Sequence, residues 1–141
     1  MGIVNMLNVI VAILQILLAL GFIGFWIYFF MVENRDPENT EVYLAFERSF
    51  PVPDLGWITP TLFIAAIGLL IDEIFGLFFT IISGSALIFL GLLDISFNIQ
   101  NGGFKGSASD VIMNLFINLI CVIFGPLFLW YAWSIFSVIA V

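Results

Sequence analysis

The stretch IAAIGLLIDEIFGLFFT, Ile64 to Thr80, decides the fold. Two adjacent acids, Asp72 and Glu73, interrupt an apolar run that otherwise extends from Leu55 to Leu93. As one helix that run is about 58 Å long at 1.5 Å per residue, far longer than a bilayer's hydrocarbon core. The acids therefore mark a tight hairpin between two short spans, about 55–71 and 74–93.

Working outward, one apolar run of about 6–32 precedes this pair and another of about 111–137 follows it. Each is long enough to cross a bilayer with some tilt. Pro126 falls inside the last span as an expected kink. The connections 33–54 and 94–110 are polar, and the second carries Asn-Gly and Gly-Gly turn steps. Four spans place both connections on one side, with the hairpin and both ends of the chain on the other. The expected fold class is all-α: an integral membrane four-helix bundle, a single four-span domain with a short interfacial helix in its first connection.

Composition agrees. Of 141 residues 63% are hydrophobic and 9% charged, and the mean hydropathy is +1.24. A soluble domain cannot cover that much apolar surface with so few charges. The chain has no histidine and one cysteine, Cys121. That excludes a disulfide framework, a Cys/His zinc site, a Ser-His or Cys-His nucleophile and haem ligation by histidine within this chain. No metal and no cofactor is expected. A net charge of −7 argues against nucleic acid and against anionic headgroups as partners.

The opening MGIVNM lacks a basic n-region, and Met6 stands where a myristoylation motif needs Ser or Thr, so the first run is expected to be a retained helix. All three basic residues, Arg35, Arg48 and Lys105, lie in the long connections. Positive-inside logic makes that side cytoplasmic. Small four-span proteins often keep both termini in the cytoplasm, which is the opposite arrangement. No orientation is assigned.

In the first connection Asp36-Pro37 has the form of a helix start, with Asp as N-cap and Pro at the first position. From there to about Ser49, helical spacing puts Val42, Tyr43, Phe46 and Phe50 on one apolar arc and Glu41 and Arg48 opposite. Pro51 and Pro53 end the helix, and Asp54 is placed to cap the second span. Glu47 falls at the edge of the apolar arc, between a solvated boundary position and an inward one. Aromatic residues suited to the membrane interface are Trp26, Tyr43, Phe46 and Trp57 towards the long connections, and Trp130 and Trp133 towards the chain ends.

Polar residues inside the spans form stripes. Asp110, Asn114, Asn118, Cys121 and Gly125 share an arc of the last span, and Asn5, Asn8, Ala12, Gln15 and Ala19 share an arc of the first. Such faces are expected to turn away from lipid. Gly76, Thr80, Gly84 and Gly91 in the third span are expected to let helix backbones approach closely. The amides act either as bonds between helices or as the lining of a pocket. In the second case Gln15, Asn114 and Asn118 lie inside it. Its mouth takes Glu47, Asp94, Asn98, Gln100, Asn101 and Asp110. The pair Asp72-Glu73 is expected to be a solvated hairpin tip.

The absence of histidine, the scarcity of bases and four short spans with many free faces point to a small non-catalytic polytopic membrane protein. It is expected to act as an oligomeric or accessory subunit, with the bilayer and either copies of itself or another membrane protein as partners. The alternative is a binder or carrier of a neutral or cationic lipophile, held in that polar pocket on the long-connection side. An enzyme using Glu47 or Asp94 as general acid or base is a variant of it. A further alternative is an oligomeric cation pathway, although the acids lie mainly in connections rather than mid-span.

Overall fold

At the tip between the two middle spans the chain reverses through Asp72, whose φ of 59° lies in the left-handed region. A short polar side chain tolerates that conformation better than a branched apolar one. The Glu73 N–H donates to the Gly68 carbonyl (2.8 Å), closing the helix end with a six-residue loop of hydrogen-bonded backbone. Two glycines make this turn tight. A Cβ on Gly68 would sit 2.5 Å from the Gly76 backbone, so the two helix ends touch main chain to main chain.

The structure is a computed structural model that describes residues 3–105 and 108–139, with the side chains of residues 3–5, 109, 110 and 139 set aside. Asn5 and Asp110 thus have side chains outside the described residues. The helices are α1 (Ile3–Met31), α2 (Glu41–Glu47), α3 (Pro51–Pro53), α4 (Thr59–Leu70), α5 (Ile74–Asn101) and α6 (Ala108–Ile139). A single π-helical turn, Asp54–Ile58, joins α3 to α4. The architecture is all-α. Four stretches are long and apolar enough to cross a membrane: Met6–Arg35, Glu41–Leu70, Ile74–Asn101 and Val111–Val138. The protein is an integral, multi-pass membrane protein. Its chain forms two compact units, Met1–Phe79 and Thr80–Val141.

In the first unit α1 packs against α4. The inward stripe of α1 runs through Asn8, Ala12, Gln15, Ala19 and Trp26, and that of α4 through Thr61, Leu62, Ala65, Ala66 and Leu69. Two side-chain bonds fix the pairing: Asn8 Nδ2 donates to Asp72 Oδ1 (3.1 Å) and Trp26 Nε1 to Asp54 Oδ2 (3.0 Å). In both pairs the residue numbers add to 80, one antiparallel register that sets Gln15 level with Ala65. Small residues on both helices at this level permit close approach. The π turn has a local cause in Pro60. Its ring has no N–H to give, and it would press on the carbonyl four residues back. The register opens by one residue instead, and the Thr59 N–H reaches the Asp54 carbonyl.

The first connection differs from expectation. Asp36 does not start the helix: its carboxylate accepts from the Glu38 N–H (2.9 Å) in a local turn. Thr40 is the N-cap, its hydroxyl accepting from the Tyr43 N–H (3.2 Å), and α2 spans only seven residues. The buried face is rotated too. Val42 is 61% exposed, while Leu44 is 5% exposed and packs with Trp26 and Phe29. Tyr43 and Phe50 lie against that cluster, and the ring of Phe46 packs edge-on to Phe50. The top of α1 selects the face, because Leu44 finds aromatic partners there. Glu41 and Arg48 are on the wet side, 4.0 Å apart, and Arg48 Nε donates to Asn34 Oδ1 (2.7 Å). Glu33 gathers the connection: its carboxylate accepts from the Tyr28 and Tyr43 hydroxyls and from the Asn39 amide (3.3 Å each).

In the second unit, α5 and α6 lie close through glycine. A Cβ on Gly84 would come 2.8 Å from the Gly125 carbonyl oxygen, and one on Gly91 would come 2.8 Å from Cys121 Cβ. The helix α5 runs on past Leu93 to Asn101, so much of the expected second connection is helical. The Asn98 and Asn101 amides donate to the carbonyls of Asp94 and Phe97 (3.0 Å each), which supports those extra turns. Gly102, at φ 75°, then ends the helix, and the Gly103 N–H donates to the Asn98 carbonyl (2.9 Å). The helix α6 continues through Pro126.

These contacts separate the glycines into two kinds. Gly84→Ala is expected to cost about 1–3 kcal/mol through overpacking. Gly24→Ala, where nothing lies within 4 Å, is expected to gain the monomeric chain about 0.5–1 kcal/mol from helix propensity. Thermal unfolding of the two variants in detergent measures the difference.

Candidate functional site

The polar end of the second unit is built from two helices and the turn between them. Asp94 and Asn98 come from α5, one turn apart, and Asn114 and Asn118 from α6, likewise one turn apart. The Asn114 amide crosses to the turn and donates to the Gly103 carbonyl (3.0 Å). Gly103 has no room for a side chain, since a Cβ there would collide with Asn98 Oδ1. Deeper in, Asn118 is 2% exposed. It neighbours the half-buried Asp94 carboxylate. Neither amide atom of Asn118, however, reaches a partner in hydrogen-bond geometry among the described residues. The close neighbour and the missing bond are compatible, because proximity without alignment earns little of a hydrogen bond's energy. Below it Cys121 is buried against Gly91.

Asn98 thus bonds to the Asp94 carbonyl on its own helix, Asn114 reaches the turn at Gly103, and Asn118 lies beside Asp94. Asn101 is exposed and bonded to its own helix. Thr80 and Ser83 on α5 are fully buried, and the Ser83 hydroxyl donates to the Thr80 carbonyl (3.2 Å). The two remaining candidates, Gln15 and Glu47, belong to the first unit. Gln15 is fully buried on α1, and Glu47 is half-buried on α2.

The first unit holds a polar seam that sequence reading passes over. Asp54, expected as a cap of the second span, is 3% exposed and accepts from the indole of Trp26. Trp26, expected as an outward interfacial anchor, is 2% exposed and turned into the unit. A carboxylate with an apolar-bodied donor explains both, since a buried carboxylate needs a donor and the indole has one to give. One helical turn on, the Thr59 hydroxyl is buried and finds no partner among the described residues. Thr61 donates to the Ile58 carbonyl (2.9 Å). The signal for Asp54 is its spacing: it precedes Ile58, Thr61, Leu62 and Ala65 at helical intervals, on the inward face. Trp57, Trp130 and Trp133 are exposed, in keeping with apolar surroundings.

Chemically, this end of the second unit carries one carboxylate, Asp94, and three amides, Asn98, Asn114 and Asn118. Such a set recognises hydrogen-bond donors and acceptors. No group of three Cys, Asp or Glu side chains suited to a metal ion occurs among the described residues.

The chain matches no protein-family model, no curated protein and no solved structure. What separates the two roles of these amides is energetic. Asn114→Leu removes a bond and strands a carbonyl, and is expected to destabilise by about 1–3 kcal/mol. Asn118→Leu replaces an unmatched buried amide by an apolar group of similar shape, and is expected to be neutral or stabilising by about 1–3 kcal/mol. Denaturant unfolding of both variants tests this; equal losses for the two would show that Asn118 is a bond between helices.

Proposed function

We propose that this chain is a non-catalytic membrane protein that acts by associating laterally with other membrane helices, as an oligomer or as an accessory subunit. The observation that carries this reading is the outer face of α1. Gly21 and Gly24 are exposed there, with open space where a Cβ would stand. Leu17 and Tyr28 flank them on the same exposed face. Two glycine pairs elsewhere, Gly68–Gly76 and Gly84–Gly125, stand where main chains meet. An exposed helical glycine costs about 0.5–1 kcal/mol relative to alanine and returns it only when a second backbone comes close. Lipid does not need that access; another helix does.

A second reading is supported by Asn118. A buried amide with neither atom matched is expensive in hydrocarbon, and a bound polar headgroup beside Asp94 relieves it. On this reading the protein binds or carries a lipophile at the polar end of α5 and α6.

Native mass spectrometry of the full chain from mild detergent tests the first reading. The expected result is a defined oligomer or a co-purifying membrane protein, lost in the Gly21→Ile/Gly24→Ile double variant with the monomer still folded. A wild-type protein that is strictly monomeric and alone, or an assembly indifferent to both substitutions, contradicts it.

A further inference from the structure

The π turn at the head of the second span leaves a main-chain carbonyl without a ladder donor. A helical carbonyl accepts from the N–H four residues on in an α-helix, or five on in a π turn. For Leu55 those residues are Thr59 and Pro60. The Thr59 N–H goes to the Asp54 carbonyl, and a proline has no N–H to give. A tighter bond from Ile58, three residues on, belongs to a 3₁₀ turn and not to the wider π turn found here. Nor does a side chain repair the gap. A threonine hydroxyl can bond the carbonyl four residues back, but the Thr59 hydroxyl finds no partner among the described residues.

The peptide that carries this carbonyl joins two exposed residues. Leu55 is 39% exposed, and Gly56 has open space where a Cβ would stand. Val52 and Trp57 on either side are exposed as well. Leu55 lies 17 residues before the hairpin tip at Asp72, about 25 Å along a helix axis and so near the far edge of a hydrocarbon core about 30 Å thick. That is the level of lipid headgroups. We propose that the Leu55 carbonyl accepts a hydrogen bond from the ammonium headgroup of a zwitterionic lipid of the phosphatidylethanolamine class, independently of both readings above. A carbonyl only accepts, so a choline headgroup, which has no N–H, cannot serve it. Acids outnumber bases six to two in the connection 33–54, which favours an ammonium over the hydroxyl of an anionic headgroup. Water competes at this depth, and a charged donor makes the stronger bond.

The test uses the full chain in lauryldimethylamine oxide, with native mass spectrometry reading lipid occupancy. The probes are dioleoyl phosphatidylethanolamine, its N,N-dimethyl form, phosphatidylcholine and phosphatidylglycerol, each in equimolar competition. The expected result is a preference of about tenfold for phosphatidylethanolamine over phosphatidylcholine. The N,N-dimethyl form keeps one N–H and is expected to bind with the former. Pro60→Ala supplies the missing N–H, so the turn satisfies its own carbonyl and the preference falls to about onefold. Gly56→Leu fills the open space beside the peptide while leaving the turn's bonds alone, and is expected to do the same. Loss of the preference in either variant, with its unfolding temperature kept, supports the site. Equal binding of the ethanolamine and choline lipids overturns it, as does a preference that survives both substitutions. An N,N-dimethyl form that behaves like choline shows selection by headgroup size and overturns the hydrogen bond. Phosphatidylglycerol binding ahead of phosphatidylethanolamine overturns the ammonium as the donor.

Discussion

A polar group inside a membrane helix has no water to turn to, so it must find its partner within the protein. The bond from Trp26 to Asp54 is the strictest instance in this chain. A carboxylate buried to 3% exposure at the start of the second span needs a donor, and an indole N–H from α1 reaches it at 3.0 Å. Together with the Asn8–Asp72 bond, that contact sets the register of α1 on α4. It draws Trp26 inward, and Trp26 with Phe29 in turn provides the surface on which Leu44 of α2 docks. The π turn at Asp54–Ile58 belongs to the same arrangement, since it places Asp54, Ile58 and Thr59 together on the buried side ahead of Pro60.

Close helix approach does the rest. Hydrophobic burial drives little association between helices in lipid, because lipid tails are as apolar as leucine. Dispersion contacts and short polar links remain. Alanines line the α1–α4 seam around Gln15, and glycines line the α5–α6 seam at Gly84, Gly91 and Gly125. Where the glycines stop, at Asp94 and Asn118, polar side chains take over. The cluster there has one well-made crossing, Asn114 to Gly103, and one unmatched amide, Asn118. The same residue type at one-turn spacing thus has two fates, decided by what stands opposite.

Much of this is legible in the residues. Acids at 72–73 between two apolar runs predict the reversal, because a single helix of that length has no bilayer to match it. The stripe Asn8, Ala12, Gln15, Ala19 predicts its inward face by period alone. The rest depends on partners distant in sequence. Asp54 beside two prolines has the local form of a cap, and only the indole 28 residues earlier makes it a buried acceptor. Val42 and Leu44 are equally apolar on their own helix, and the aromatic top of α1 chooses between them. The extension of α5 to Asn101 rests on amides that bond back to their own helix. Their turn-forming character suggests the opposite until those carbonyls are counted.

The central claim is that polar groups in these spans are bonded to one another and hold the helices in register. A double-mutant cycle on Trp26→Phe and Asp54→Leu, measured by unfolding in detergent, tests it most directly. The account predicts that each single variant is destabilised and that the two are coupled by about 0.6–2 kcal/mol. The double variant should then be less destabilised than the sum of the singles. Additive losses, with a coupling energy of zero, would contradict it.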